Sequence, residues 1–204
     1  MKKLSLTMVV ILTITIAFAQ ENYQEPTEKE RSFKSGIKGG LNSAREMVSA
    51  GKVSGQTNVR TGIHIGFFME FPVSTTVDFQ PELLYSMQGG RYKDGGTNYT
   101  DKFDYINLPL MFKIYVWQRS LSIDFGPQLG YMIGAKISIG GTNVDIYDEE
   151  ALKKFDASLA LGLSFKLTDQ LDLSFRGAFG LTNILEAESN YKNSVSQLSL
   201  AYRF

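Results

Sequence analysis

Apolar residues recur at every second position through most of the chain after residue 32. The alternation is clear in seven segments and weaker in the first, and the eight segments are 33–41, 63–71, 77–87, 106–116, 121–133, 155–165, 171–181 and 198–204. A period of two over this length is typical of strands and not of helices. Tilted strands of roughly 9–11 residues are long enough to cross a bilayer. The pattern therefore predicts eight long strands.

The intervening positions of the same segments carry charges of both signs and many small residues. Each predicted strand consequently has one apolar face and one polar face. The charged or titratable residues on the polar face are Lys34, Lys38, His64, Glu70, Asp78, Glu82, Lys113, Asp124, Asp156, Lys166, Asp172, Arg176 and Arg203.

Alternation alone does not decide which face points inward. A soluble lipocalin-like barrel buries its apolar face, whereas a membrane barrel turns that face to lipid. Glycines such as Gly36, Gly40 and Gly66 lie on the charged face, where the narrow interior of an eight-stranded barrel needs small side chains. Aromatic residues near strand ends resemble interfacial girdles, although Tyr115 and Trp117 fall on the inward parity. Both features favour the membrane barrel.

The connections between the predicted strands alternate strictly between long and short. The long polar segments are 43–60, 89–102, 136–153 and 184–193, and the short ones are 72–75, 117–120 and 167–170. Long extracellular loops and short periplasmic turns are typical of outer-membrane barrels. We therefore predict an all-β protein, an eight-stranded antiparallel up-and-down transmembrane β-barrel in the cell outer membrane, with both termini periplasmic.

Two local features modify this picture. Pro81, Pro109 and Pro127 lie inside predicted strands, where a proline removes a ladder hydrogen bond. We expect bulges or local register adjustments near them. Residues 148–155 contain Glu, Ala, Leu and Lys, so any helix in the long loops is expected there.

The N-terminus has the pattern of a secretory signal peptide. Lys2 and Lys3 precede an apolar run, Leu4–Ala17, and Ala17-Phe18-Ala19 supplies a cleavage site before Gln20. The run is shorter than the ~20 residues of a spanning helix. We predict a signal peptide at 1–19, a flexible periplasmic tail at 20–32, with a short docking segment as the alternative, and the barrel at 33–204.

Composition excludes several other classes of protein. Without Lys2 and Lys3, 19 basic residues face 21 acidic ones, a charge of −2 that does not indicate nucleic-acid binding. The chain has no cysteine, so it has neither disulfides nor a lipid-modified N-terminal cysteine. No other apolar run approaches the length of a spanning helix.

Candidate chemistry is sparse. His64 is the single histidine, so a three-histidine metal site is impossible, and we expect it to hydrogen-bond among interior polar groups. A serine–histidine catalytic site is the alternative. We predict no catalytic, cofactor or metal site. Instead we expect an interior charge network of Lys38, His64, Glu70, Asp78, Glu82, Lys113, Asp124, Asp156, Lys166, Asp172, Arg176 and Arg203. Buried charges need partners, so we expect these side chains to pair with one another and plug the barrel. A selective pore is the alternative.

Five motifs follow one another along the chain, and they are Gly36–Asn42, Tyr105–Leu110, Gly126–Tyr131, Gly180–Ile184 and Tyr202–Phe204. This ordered series resembles the PorT-like outer-membrane β-barrel family of Bacteroidetes. The resemblance covers residues 33–204 and implies a barrel in which the strand prolines are tolerated. The family's namesake serves type IX secretion and gliding, and the resemblance implies no catalytic residue.

From these observations we expect a non-enzymatic barrel with a structural or surface-interaction role, or an accessory to an envelope secretion complex. Its expected partners are outer-membrane lipid and lipopolysaccharide, the barrel-assembly machinery during biogenesis and an envelope protein. A narrow pore, a lipid-modifying enzyme that uses His64 and a soluble lipocalin-like carrier are the alternatives.

Overall fold

The computed structural model describes residues 32–50, 53–117, 119–148, 152–184 and 190–204. The predicted signal peptide and all of the predicted tail except Ser32 lie outside the described residues. No helix among the described residues is long and apolar enough to cross a membrane.

Within the described residues, eight long strands form the wall and three short strands extend it. The long strands are β1 (Lys34–Ala50), β3 (Asn58–Pro72), β4 (Val77–Gln88), β6 (Thr97–Trp117), β7 (Leu121–Ile139), β9 (Phe155–Lys166), β10 (Leu171–Gly180) and β11 (Asn190–Arg203). The short strands are β2 (Val53–Gln56), β5 (Gly90–Asp94) and β8 (Thr142–Asp145).

The sheet closes on itself because β1 pairs with both β3 and β11. Around the ring the long strands follow the order β1, β11, β10, β9, β7, β6, β4, β3, and every pairing is antiparallel. Each long strand thus neighbours the next long strand in sequence, which confirms the predicted eight-stranded up-and-down barrel. Gly36 pairs with Arg203, so the described chain begins and ends at the same end of the barrel as the short turns.

The alternating apolar positions of the strands face outward. On β9, Leu159, Leu161 and Leu163 are 53%, 55% and 52% exposed, whereas the alternate positions between them are buried. The interior parity contains the buried charges, including Glu82 and Arg176. The soluble lipocalin-like alternative is therefore wrong, because such a carrier buries its apolar face.

The long connections are less irregular than their sequence suggested. β1 continues to Ala50 and pairs there with β2, while β5 and the start of β6 form a hairpin, as do β7 and β8. Gly95 and Gly96 turn the second hairpin with φ of 53° and 85°, a conformation that glycine adopts without steric cost. Much of the predicted loop sequence therefore consists of hairpins that extend the barrel wall at its long-loop end.

The strand prolines do not shift the register. Pro81 pairs with Leu110, Pro109 with Gln128 and Pro127 with Leu159, each in a register that is unchanged on both sides. The expected register adjustments at these prolines are wrong. A proline removes one donor toward one neighbouring strand, and the rest of the ladder holds the alignment.

Register shifts occur instead between Asp104 and Tyr105 and between Tyr115 and Trp117, both in the β6–β7 pairing. The second shift removes the difficulty with Trp117, which is 40% exposed and pairs with Leu121 of the outward parity. Tyr115 stays inward-facing, with the Arg119 guanidinium 4.2 Å from its ring centroid.

The helix expected at 148–155 is absent from the described part of that segment, residues 148 and 152–155.

Candidate functional site

An ion network crosses the middle of the barrel. Arg176 of β10 donates from Nη1 and Nη2 to the two carboxylate oxygens of Glu82 of β4, at 2.8 and 2.7 Å. β4 and β10 lie four places apart in the eight-strand ring, so this bidentate pair spans the lumen. The Nζ atom of Lys38 on β1 lies 3.2 Å from Glu82 Oε1. All three side chains are at most 3% exposed.

A second ion cluster lies toward the short-turn end. Arg203 of β11 and Lys113 of β6 both contact Asp172 and Glu70, and Lys113 Nζ is 3.3 Å from Asp172 and 3.6 Å from Glu70. Asp78 lies at the same end and pairs with Arg119 of the turn before β7. The four groups on β3, β6, β10 and β11 neutralise one another in pairs across the interior.

Asp124, Asp156 and Lys166, also members of the predicted network, have partners outside the two ion clusters. Asp124 accepts hydrogen bonds from the hydroxyls of Ser122 and Ser164. Asp156 accepts one from Thr182. Lys166, the last residue of β9, is partly exposed and pairs with Asp169 of the adjacent turn at 2.8 Å. Its assignment to the interior network is therefore wrong, because at the rim its long side chain reaches water.

His64 is buried between two hydrogen-bond partners. Its Nδ1 lies 2.8 Å from Asn42 Oδ1, and its Nε2 lies 2.8 Å from Ser199 Oγ. The Asn42 amide nitrogen donates elsewhere, to Ser86 Oγ among others. Nδ1 therefore carries the proton, and Nε2 accepts from Ser199.

These residue types match those of a serine–histidine catalytic site, but the surroundings do not. Both His64 and Ser199 are 2% exposed. A Cβ added at Gly40 would lie 2.9 Å from His64 Cε1, so the barrel wall leaves no room for a substrate on that side. The arrangement serves as a packed polar layer of the interior.

An apolar cluster closes the interior at the long-loop end. It comprises the buried side chains of Phe103, Tyr105, Met132, Ala135 and Ile184. Ile146, Tyr147 and Leu152, from the connection between β8 and β9, pack against it. We call residues 146–148 and 152–154 the mouth segment.

Backbone hydrogen bonds fix the mouth segment to the wall. Ile146 N–H donates to Ala135 O at 3.0 Å, and Met132 N–H donates to Lys154 O at 2.7 Å. The sequence pattern did not reveal this cluster, because all of its buried residues except Met132 lie outside the segments with strand periodicity.

An acidic cluster lies beside the apolar one. Tyr191 Oη is 2.7 Å from Glu46 Oε2 and 3.4 Å from Asp101 Oδ2. The outward-facing neighbours of these acids include the polar side chains of Arg45 and Lys102, with Met47 as an apolar exception at 37% exposure. The cluster therefore lies beyond the continuous apolar band that meets lipid. Burial and the negative charge of Asp101 raise the pKa of Glu46 to about 7.

The described residues contain no group of three or more metal-ligating side chains of the His, Cys, Asp and Glu types. What the interior can do chemically is hold charges in fixed pairs. Breaking one such buried pair typically costs about 3–5 kcal/mol, so the networks join the strands into a single packed unit.

A family model described as an outer membrane protein beta-barrel domain matches residues 18–186. No curated protein matches the chain.

Several solved structures align with most of this chain at low identity. Ail, the attachment invasion locus protein of Yersinia pestis, in complex with the heparin analogue sucrose octasulfate, is 15% identical, with 85% of this chain and 99% of that chain covered and a TM-score of 0.49. Neisserial surface protein A is 14% identical, with coverage of 82% and 97% and a TM-score of 0.48. CarO2 of Acinetobacter baumannii is 10% identical, with coverage of 83% and 99% and a TM-score of 0.42.

Proposed function

The chain belongs to the outer membrane protein β-barrel domain family, and from that premise we propose that it is a non-enzymatic, closed barrel that acts through its long-loop end. Its role is structural or surface-interacting, or that of an accessory to an envelope secretion complex.

The observation that carries the proposal is the Glu82–Arg176 pair across the lumen. An eight-stranded barrel has an interior that side chains just fill. Here a bidentate ion pair occupies the middle, a second ion cluster lies toward the short turns, and the apolar cluster with the mouth segment closes the opposite end. This arrangement supports a plugged barrel whose accessible chemistry lies on its extended hairpins.

The orientation belongs to the proposal. Outer-membrane barrels carry short turns on the periplasmic side and long loops outside. We accordingly place both termini in the periplasm and the hairpins β1–β2, β5–β6 and β7–β8 at the cell surface. There they would meet lipopolysaccharide and an envelope protein partner. Residues 1–19 would direct export.

The narrower family assignment is also proposed. The motifs Gly36–Asn42, Tyr105–Leu110 and Gly126–Tyr131 support membership of the PorT-like barrels of Bacteroidetes.

A narrow pore is the second candidate, and one observation favours it. Buried polar atoms of the lumen, such as Asn107 Nδ2 and Gln128 Oε1, have no hydrogen-bond partner among the described residues. Such groups are commonly satisfied by water, and a continuous file of waters would form a conducting path.

Planar-bilayer recording separates the two candidates. The purified barrel is expected to give no steady conductance steps, because charged and apolar side chains block the lumen at three levels. A variant that carries both Glu82→Ala and Arg176→Ala, which removes the central block, serves as the matched comparison. Uniform single-channel steps from the unmodified protein would overturn the plugged barrel and establish the pore.

A further inference from the structure

Two buried carboxyl groups at the long-loop end share one hydroxyl donor. Glu46 of β1 and Asp101 of β6 both lie within hydrogen-bond reach of Tyr191 Oη of β11. Tyr191 has a single proton and is closer to Glu46. Glu46 Oε1 and Asp101 Oδ1 have no partner among the described residues, and the two side chains are 0% and 5% exposed.

This geometry disfavours two negative charges at once. Like charges in a poorly hydrated site raise each other's cost of ionisation. The groups that face Glu46 are Asp101 and Tyr105 of β6, Tyr191 of β11, Arg60 of β3 and Thr57 between β2 and β3. Arg60 is the one cation in this described set, and its Nη1 donates to the carbonyl of Gln88. A proton on Glu46 would instead relieve the repulsion directly.

The pKa directions agree with this geometry. Burial, followed by the charge of Asp101, raises the pKa of Glu46 to about 7 from its ordinary 4.5. Burial also raises the pKa of Asp101, against the hydrogen bond from Tyr191. Both groups lie beyond the apolar band, so they respond to the aqueous compartment at this end.

A chain of hydrogen bonds connects the acids to the mouth segment. The Tyr191 carbonyl accepts from Ile184 N–H at 2.8 Å, and the Ile184 carbonyl accepts from Lys153 N–H, also at 2.8 Å. Ile184 is itself a buried member of the apolar cluster, against which Leu152 packs. On the other side, the Glu46 carbonyl accepts from Thr57 N–H at 3.0 Å. Displacing Tyr191 would therefore loosen the mouth segment.

We propose that Glu46, Asp101 and Tyr191 form a proton-controlled latch that holds the mouth segment over the lumen in acidic surroundings and loosens it as the pH rises. When Glu46 is protonated, the two acids and the phenol carry at most one negative charge. When it ionises, two carboxylates compete for the Tyr191 hydroxyl, because the Thr57 side chain hydrogen-bonds Glu46 and not Asp101. The contact between β1, β6 and β11 then weakens.

The sign and range of the effect follow from linkage. Glu46 has a higher pKa in the latched state than when it is hydrated, so the latched state binds the extra proton. The latched state is most stable below pH 4.5, loses stability between pH 4.5 and pH 7, and has a constant, lower stability above pH 7. Within that interval the opening equilibrium should increase by about tenfold per pH unit.

Hydrogen–deuterium exchange of the detergent-solubilised barrel tests the latch. The reporter amides are those of Lys153, Ile184 and Thr57, and the wall strands β9 and β10 provide the reference. After correction for intrinsic exchange, opening at the reporters should rise on the order of tens of fold between about pH 5 and pH 7. It should then level off, while the reference strands stay unchanged. A pH-independent reporter signal would contradict the latch.

Two variants make the test specific. Glu46→Gln should abolish the pH dependence and keep the reporters protected throughout. Asp101→Asn should move the transition to lower pH, because it removes the repelling charge. Asp156→Asn, at a buried acid of the same end that bonds Thr182, is the matched control and should leave the midpoint unchanged. A pH transition that survives in Glu46→Gln, or an unchanged midpoint in Asp101→Asn, overturns the proposal. If Glu46→Gln fails to fold, the midpoint of Asp101→Asn alone decides.

Discussion

At the residue scale, Glu82 is the acid on which the centre of the barrel depends. It accepts from Arg176, Lys38 and Gln80, which lie on three different strands. Parity placed all of its charged partners on the inner face, but it did not identify the pairs. Glu82 is 94 residues from Arg176 and 44 from Lys38, and only the closure of the ring decides which strands face each other.

Glu82→Gln is expected to lower the free energy of unfolding by about 3–5 kcal/mol, because it leaves Arg176 and Lys38 buried without a counter-charge. Urea titration in lipid vesicles measures this loss, with the fluorescence of Trp117, the single tryptophan, as the probe. The control is Asp169→Asn, since Asp169 pairs with Lys166 on the exposed turn and exposed pairs contribute little. Equal stability of the two variants would refute the central role of Glu82.

At the element scale, the sequence predicted strands well wherever one face is apolar. In β9 and β10 the period of two directly identifies the apolar positions that face outward toward lipid. The hairpin extensions were predicted as loops because outside the lipid band both faces of a strand can be polar, and β8 is exposed at all four positions. The register shift near Trp117 was equally invisible, since a bulge adds one residue without a compositional signal.

A charge placed on the outward apolar face should destabilise the barrel if that face meets lipid. Leu161, at mid-strand in β9, is 55% exposed, and Leu161→Arg should cost roughly 2–4 kcal/mol at the bilayer midplane. Val144→Arg is the matched control, because Val144 is an exposed apolar residue of β8 at the long-loop end (47%). Vesicle refolding and urea titration compare the two. If Leu161→Arg is as stable as Val144→Arg, the outward face does not meet lipid.

At the scale of the whole molecule, closure of the ring is what brings the side chains that fill its interior together. β1 joins β3 and β11, and the inward charges then meet across the lumen, where Arg176 of β10 reaches Glu82 of β4. The predicted strand count and facing followed from local periodicity. The apolar cluster and the acidic latch did not, because they form from residues of β1, β6, β7, β11 and two connections that only the closed barrel brings together.

This chain is an integral outer-membrane barrel with its charges inside and its apolar residues toward lipid. Gel migration of the membrane fraction, with and without boiling, tests it most directly. The chain should be recovered with the outer membrane and give a band whose migration changes on boiling, because the closed sheet resists detergent until it is heated. Recovery in the aqueous fraction without detergent, or identical migration of boiled and unboiled samples, would contradict it.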